Sequence, residues 1–346
     1  MRRWSTWLVL GTVCALALVA VADALRRADS RPTTLPPTTT SRPTLLGELQ
    51  AELRASAIEG VVVYSDPECV VHSLLLPALE RNDVRTEAGA PLRMCEFSAA
   101  GGRFLAPGES LSPNRELIVR CRGGQVEVVD ASSGEERERV SGCAPAWSPD
   151  GCLTVARAGA VVQSGPCKER VVLSEAELRS VARSHPNVGN AAPEAVLRVT
   201  PTALAWLDRD LLALALAVRL RGVEPQYLFA LVEQRRVLGW STRFGGPMRE
   251  LRVSPKGSMV AAEGAILMTS DGNELTGLAA FVNGEVIGWS PDDRWVVVSG
   301  EASVYLVSAQ DLRALNPTPR TIRLPIAARS LVWTGSSLPT GSSTLG

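Results

Sequence analysis

Lysine and histidine are almost missing from this chain of 346 residues: Lys168 and Lys256 are the only lysines, and His72 and His185 the only histidines. So few imidazoles leave little choice of general base. No Gly-x-Ser-x-Gly elbow is present to seat a serine nucleophile on a strand-to-helix turn. His185 precedes Pro186 and reads as a solvated loop residue, while His72 sits in a mixed apolar segment and reads as packed or at an edge. There is no Cys-x-x-Cys pair, and neither histidine has zinc-ligand spacing to a cysteine pair, so the usual metal sites are not expected. Gly101-Gly102, Gly123-Gly124 and Gly245-Gly246 are isolated doublets without the strand-to-helix setting that cradles phosphate. The acidic pairs Glu135-Glu136 and Asp208 with Asp210 fall at turns and read as solvated charge. The reading is of a chain with no catalytic residues, no cofactor and no metal.

A basic stripe is also lacking. The formal charge is zero overall, but the first 45 residues carry a net plus four, leaving the remainder at minus four. A mildly acidic domain does not release counterions from a phosphate backbone, so no nucleic-acid partner is expected. With arginine supplying nearly all the cations beside abundant Ala, Gly, Val and Leu, the composition fits a GC-rich bacterial genome.

Only one uncharged apolar run approaches membrane length. Residues 1–6 read as a short cytoplasmic N-terminus, and Trp7 to Ala22 carries no charge. At ~1.5 Å per residue this run covers about 24 Å, and extension to Leu25 brings it near the ~30 Å hydrocarbon core. Residues 7–25 are therefore either a single-pass membrane anchor, with the C-terminal domain extracytoplasmic, or a signal peptide whose removal gives a secreted protein. Ala20-Val21-Ala22 and Ala22-Asp23-Ala24 both fit the small-residue pattern of a cleavage site. Cys14 follows Gly11-Thr12-Val13 and lacks the small residue that a lipoprotein site requires just before it. Residues 26–46 contain SRPTTLPPTTTSRPT and read as a Pro/Thr stalk, too polar to offset its own ordering entropy.

The other six cysteines, Cys69, Cys95, Cys121, Cys143, Cys152 and Cys167, all follow this export signal, and their even number favours disulfides. Six cysteines allow 15 connectivities. The preferred set is sequential: Cys69 with Cys95, Cys121 with Cys143, Cys152 with Cys167.

From 59 to 336 the chain reads as strands and turns, followed by a Gly/Ser-rich tail at 337–346. Glu116 to Val119 and Val126 to Val129 form a hairpin across Arg122-Gly123-Gly124. Ala279 to Phe281 and Val286 to Trp289 form another across Asn283-Gly284, a dipeptide suited to the positive φ of a type I′ turn. Leu211 to Val218 is apolar throughout, too short to span a membrane, and suits a strand buried on both faces. Ser174 and Glu177 form a capping box ahead of a short helix to Ser184.

A phrase recurs: Trp147-Ser148-Pro149-Asp150-Gly151, Val253-Ser254-Pro255-Lys256-Gly257 and Trp289-Ser290-Pro291-Asp292-Asp293. Each copy ends one apolar run and begins another, which is a strand, a tight turn and a strand. Asp150, Asp292 and Asp293 read as turn residues rather than calcium ligands, because calcium loops need a denser oxygen cluster. Taking Phe97, Trp147, Trp206, Val253, Trp289 and Trp333 as inner-strand ends gives steps of 50, 59, 47, 36 and 44 residues, close to the ~40 to 50 of a propeller blade. Trp240, in a segment that echoes Val286 to Ser290, is a competing marker. The tryptophans Trp147, Trp206, Trp289 and Trp333 pack between blades on one reading and form a ligand-binding ring on the other.

The Trp-Ser-Pro-Asp-Gly turn followed by an apolar strand resembles the WD40-like repeat of the TolB type, over roughly residues 93 to 335. By architecture the chain also resembles the propeller portions of actinobacterial envelope proteins. The resemblance implies an all-β propeller, six-bladed with five or seven as alternatives, and a tendency to bind partners. It carries over no catalytic residue. The strand Gly60 to Tyr64 is available to complete the last blade beside Ser330 to Trp333.

The expected function is a non-catalytic scaffold for an envelope protein or surface ligand, attached to the membrane through Trp7 to Leu25. The alternative is a hydrolase or lyase acting on envelope polysaccharide from the propeller channel. Clustered acidic, Arg and His side chains in the channel favour the enzyme; small and apolar ones favour the scaffold. Thiol labelling of the denatured, unreduced mature protein should leave every cysteine from Cys69 to Cys167 unlabelled; a stoichiometric signal from any of them contradicts the pairing.

Overall fold

The computed structural model describes residues 46–335 except 87, 101–102, 166, 242–245, 247, 249, 263–264, 276–284 and 301. The strand-rich segments form six four-stranded antiparallel sheets and one two-stranded hairpin. The sheets follow one another along the chain as the blades of a β-propeller. From inside outwards, blade 2 is Ser110–Leu111, Leu117–Arg122, Gln125–Asp130 and Glu136–Ser141; blade 3 is Cys143–Trp147, Leu153–Arg157, Ala160–Ser164 and Arg170–Leu173. Blade 4 is Val196–Trp206, Leu211–Leu220, Gln226–Glu233 and Arg236–Ser241; blade 5 is Arg252–Val253, Met259–Ala262, Ala265–Met268 and Glu274–Leu275. Blade 6 is Glu285–Trp289, Trp295–Ser299, Val304–Ser308 and Thr321–Leu324.

The core lies between blades. Along Leu211–Leu220 the even residues Leu212, Leu214, Leu216 and Val218 pack toward blade 3, with Leu173. The odd residues Leu211, Ala213 and Ala215 pack toward blade 5, with Val260 and Leu267. That two-sided burial explains why the strand is apolar without alternation, each fully buried leucine contributing about 2 kcal/mol. Val119 and Val126 meet Leu153 and Val155 between blades 2 and 3, and Ile266 meets Val286 and Val296 between blades 5 and 6.

Blade 1 closes the ring with both ends of the folded chain. Its innermost strand, Ser330–Thr334, pairs antiparallel with Gly60–Ser65, which continues to Val71–Leu76 and Glu80–Asp83. A buried serine pair fastens the joint: Ser330 N donates to Ser65 Oγ at 3.2 Å, Ser65 Oγ donates to Cys95 O at 2.7 Å, and Ser330 Oγ donates to Phe97 O at 2.6 Å. Trp333 Nε1 donates to Glu59 O at 3.1 Å. Gly60 has φ +118°, and a Cβ there would lie 2.5 Å from Thr334 O. Only glycine fits that crossing.

Helices are few. α1, Leu46–Ala55, precedes the first strand and begins at Leu46, the residue at which the expected stalk ends. α2, Glu175–Ser184, carries the anticipated capping box: Ser174 Oγ accepts from Glu177 N at 3.3 Å, and Glu177 Oε2 accepts from Ser174 N at 2.7 Å. Its apolar face, Leu178, Val181 and Ala182, joins the core between blades 3 and 4. α3, Pro186–Gly189, follows it directly, and α4, Ala309–Arg313, lies between the last two strands of blade 6. The disulfides are Cys69–Cys95, Cys121–Cys143 and Cys152–Cys167, the sequential set.

Two register markers are corrected. Phe97 does not end an inner strand; it precedes the hairpin of Ser98–Ala100 with Arg103–Leu105, and blade 2 begins at Ser110–Leu111. Trp240 lies in the outermost strand of blade 4, where its Nε1 donates to Ser184 Oγ at 3.1 Å. The Asn283-Gly284 hairpin with Ala279 to Phe281, the segment Trp7 to Leu25, the Pro/Thr stretch up to residue 45 and the tail at 337–346 fall outside the described residues. No helix among the described residues is long and apolar enough to cross a membrane.

Gly60→Ala should destabilise the fold by about 2–3 kcal/mol through strain at that φ, and Ser330→Ala by about 1–3 kcal/mol through the stranded Phe97 groups. Urea midpoints check both; wild-type midpoints would show that closure does not depend on this joint.

Candidate functional site

The repeat-signature residues build turns. In each copy the serine begins a β-turn, and the proline at the next position sets the φ that the turn needs. The fourth residue is left-handed: Gly151 at φ +79°, Gly257 at +69° and Asp293 at +60°. The serine hydroxyl then accepts from an N–H at the entry to the following strand: Cys152 N to Ser148 Oγ at 3.1 Å, Met259 N to Ser254 Oγ at 3.1 Å, Trp295 N to Ser290 Oγ at 2.9 Å. A fourth, degenerate copy is present. Leu111-Ser112-Pro113-Asn114 forms the same turn, with Leu117 N donating to Ser112 Oγ at 2.9 Å and Arg115 left-handed at φ +64°. Its Ser-Pro dipeptide was the available signal. Leu111 stands 36 residues before Trp147, the same interval as Val253 to Trp289.

The turn carboxylates hold the turns and one another. Asp292 Oδ1 accepts from Ser290 Oγ at 2.6 Å and from Arg294 N at 3.1 Å. Burial raises the pKa of this carboxyl, but the Ser290 and Arg294 donors outweigh it and hold the group below the usual carboxylate range. Asp293 reaches across to blade 5: its carboxylate accepts from Ser254 Oγ at 2.6 Å, Ser258 Oγ at 2.7 Å and Lys256 N at 3.1 Å, while the residue is only 5% exposed. Asp150 pairs with Arg209 of the neighbouring blade at 3.1 Å. Among the described residues no group of three potential ligands is disposed to hold a metal ion.

The inner strands of all six blades wall one central channel of 510 Å³. The residues that line it are mostly small or apolar, among them Leu331 and Val332, Leu111, Ala144 to Ala146, Ala203 to Ala205, Leu251, Ile287 and Gly288. Among the described residues three charged ones reach it. Glu109 accepts from Ala106 N at 2.9 Å; Arg252 donates to Ile287 O at 2.7 Å and lies 3.4 Å from Glu250. The four tryptophans border the same channel and pack between blades. Trp147 Nε1 donates to Ser110 O at 3.2 Å, and Trp206 Nε1 to Thr154 Oγ1 at 2.9 Å. Trp289 Nε1 is buried with no hydrogen-bond partner among the described residues. The strand register explains the difference, because Ala261 in blade 5 occupies the place that Thr154 holds in blade 3.

Neither histidine belongs to this channel. His185 is buried, not solvated as the sequence implied; its ring packs edge-on against Trp240 at 5.1 Å, and burial pushes its pKa down. The amphipathic face of α2 carries it inward, a consequence that the following proline concealed. His72 is packed, with Nδ1 2.8 Å from Asp83 Oδ1 and Nε2 2.8 Å from Asp66 Oδ2. Arg81 completes its hydrogen-bonding set, which includes no hydroxyl or thiol nucleophile.

No protein-family model matches the chain, and no curated protein does. Among solved structures it is similar to a chain in the crystal structure of the mitotic checkpoint complex, with 12% identity, TM-score 0.41 and 76% of each chain covered. It is similar to Kuenenia stuttgartiensis hydrazine synthase with 13% identity and TM-score 0.40, over 73% of this chain and 77% of that one. For the β-propeller domain of Myceliophteria thermophila Cps50 (Swd1), the identity is 12% and the TM-score 0.40, over 80% of this chain and 89% of that domain. The fold assignment rests on the sheet order and the shared channel.

Asp293→Ala leaves two serine hydroxyls and the Lys256 N–H without their acceptor, so a loss of about 2–3 kcal/mol is expected. Asp150→Ala, at an exposed pair, should cost under about 1 kcal/mol. Paired denaturation curves check the contrast, and equal losses would remove the inter-blade role given to Asp293.

Proposed function

We propose that this protein is a membrane-anchored, extracytoplasmic β-propeller of the WD40-like, TolB type, serving as a non-catalytic scaffold for a protein or surface ligand of the bacterial cell envelope. The observation that carries this reading is the channel wall. A polysaccharide-cleaving site needs two carboxylates placed on either side of a scissile bond, or a nucleophile with its base. Here, among the described residues, the mostly small and apolar lining presents two carboxylates that are both already engaged, Glu109 by Ala106 N and Glu250 by Arg252. A rigid ring with variable loops on two rims is well suited to docking.

Three disulfides support an oxidising compartment. The uncharged run from Trp7 supports attachment, and the Pro/Thr stretch supports retention of that run. An extended spacer of 15 residues reaches about 45 Å at ~3.1 Å per residue, enough to lift a domain off a bilayer, and has no comparable use at a cleaved terminus.

The mature protein should stay in the membrane fraction through high-salt and carbonate washes, retain Trp7 to Ala22, and release no sugar from envelope polysaccharide. Soluble protein beginning at Asp23 or Leu25 overturns the anchor. Polysaccharide cleavage by the purified chain overturns the scaffold.

A further inference from the structure

Outer strands of a propeller leave a row of backbone donors and acceptors that other chains can pair with, and proteins guard such edges with charge. Blades 1, 2 and 4 keep their outer edges covered, two by charge and one by close packing. The outermost strand of blade 1, Glu80–Asp83, is wholly exposed and polar; that of blade 2 begins Glu136-Arg137-Glu138-Arg139. The outermost strand of blade 4 has Gly239 packed against Gly272 of blade 5. Blade 3 departs from this. Its outermost strand reads Arg170-Val171-Val172-Leu173, and Val171 is 52% exposed, the only large hydrophobic so exposed on an outermost strand among the described residues.

Beside this edge lies a second cavity, of 230 Å³, between blades 3 and 4. Val172, Leu212 and Val232 give it an apolar lining, and Arg170, Arg209 and Arg235 also line it, against one carboxylate, Asp210. Arg209 and Arg235 are 75% and 63% exposed and reach Asp150 and Glu177 at 3.1 and 3.0 Å. Exposed pairs of that kind are worth about 0–1 kcal/mol, so an incoming carboxylate displaces them at little cost. An unguarded edge, an apolar recess and three arginines therefore share one locality.

We propose that this edge of blade 3 pairs with an extended segment of a partner protein that carries an apolar and an acidic side chain two residues apart. The backbone adds as a fifth strand along Arg170–Leu173, an apolar side chain enters the recess, and Asp or Glu side chains meet Arg209 and Arg235. The recess and the arginines that line it lie on the blade 4 side of this edge, and the period of two in a strand puts residues i and i+2 of the segment on that one face, so the apolar and acidic side chains stand two positions apart. This rests on the scaffold reading and supplies the kind of partner that reading leaves open.

The test uses the full-length protein in detergent with labelled hexapeptides, Thr-Val-Thr-Glu-Thr-Val against Thr-Val-Thr-Lys-Thr-Val and hexaglutamate. Anisotropy should show the acidic-apolar peptide binding at least tenfold tighter than either control, and hydrogen exchange of the Arg170–Leu173 amides should slow in its presence. Arg209→Glu with Arg235→Glu should weaken binding at least tenfold. Arg198→Glu, on an exposed arginine elsewhere in blade 4, should leave it unchanged, with unaltered circular dichroism in both proteins. Equal binding of hexaglutamate, unchanged exchange, or indifference to the double substitution overturns the proposal. If an envelope partner crosslinks equally to wild type and to the double variant, this edge is excluded while the scaffold reading stands.

Discussion

Everything in this fold depends on the joint between Gly60–Ser65 and Ser330–Thr334, since the six sheets become a ring only if the two ends of the folded chain pair in register. Residues some 270 positions apart meet there, so loop-closure entropy opposes the contact, and local propensity offers it no help. The joint is correspondingly over-determined. Backbone pairing fixes direction, Ser65 and Ser330 convert two buried hydroxyls into links to the segment after Cys95, and Cys69–Cys95 fastens that segment covalently. Register errors are costly here. A slip of one residue exchanges the two faces of a strand, placing the wrong face of Gly60–Ser65 against its neighbours and moving a side-chain-bearing residue to the crossing that Gly60 occupies.

Features encoded within about ten residues could be read directly, because their chemistry is local. The Ser-Pro turns announce themselves through proline's fixed φ and the left-handed fourth residue. The capping box at Ser174 and Glu177 needs no distant partner either. Leu211–Leu220 was legible for a different reason: eight apolar residues in sequence have no solvent face, so two neighbouring sheets were implied. The misreadings share a cause. Phe97 met the blade spacing, while the true marker at Leu111 had lost both its tryptophan and its glycine, Arg115 adopting the left-handed conformation instead. His185 looked solvated because Pro186 indicated a loop, and only the packing of α2 places its ring against Trp240. α1 has Leu46, Leu49 and Leu53 at helical spacing, but it directly follows a proline-rich stretch and carries no N-cap signal of its own.

The candidate site was legible to a lesser degree. That the tryptophans pack between blades follows from size and flatness, and three of the indole N–H groups donate to a neighbouring strand or to the segment entering blade 1. The composition of the channel is not written in any one segment, since each blade contributes two to four residues from a strand whose other face is hidden. Nor is the recess beside blade 3 readable: Arg170, Arg209 and Arg235 come from different strands and turns of two blades. Such assemblies appear only when the sheets are placed.

The rims and outer edges of this propeller differ in how far their polar groups are already taken up. The rims here are heavily committed to self-contact: Asp293 binds the blade 5 turn, Asp150 meets Arg209, and Arg313 reaches Ser258. Those interactions stiffen the ring and use up polar groups that a ligand would otherwise take. The outer edges differ, because pairing within a blade ends there. Charge covers Glu80–Asp83 and Glu136–Ser141, and close packing occupies the strand containing Gly239. At Arg170–Leu173 the ladder ends on valines. Leaving one edge apolar carries an aggregation cost that charge at the other edges avoids. A strand that exposes Val171 beside an arginine-lined recess is therefore the place where the ring departs from protecting itself, and where a partner strand gains both burial and charge.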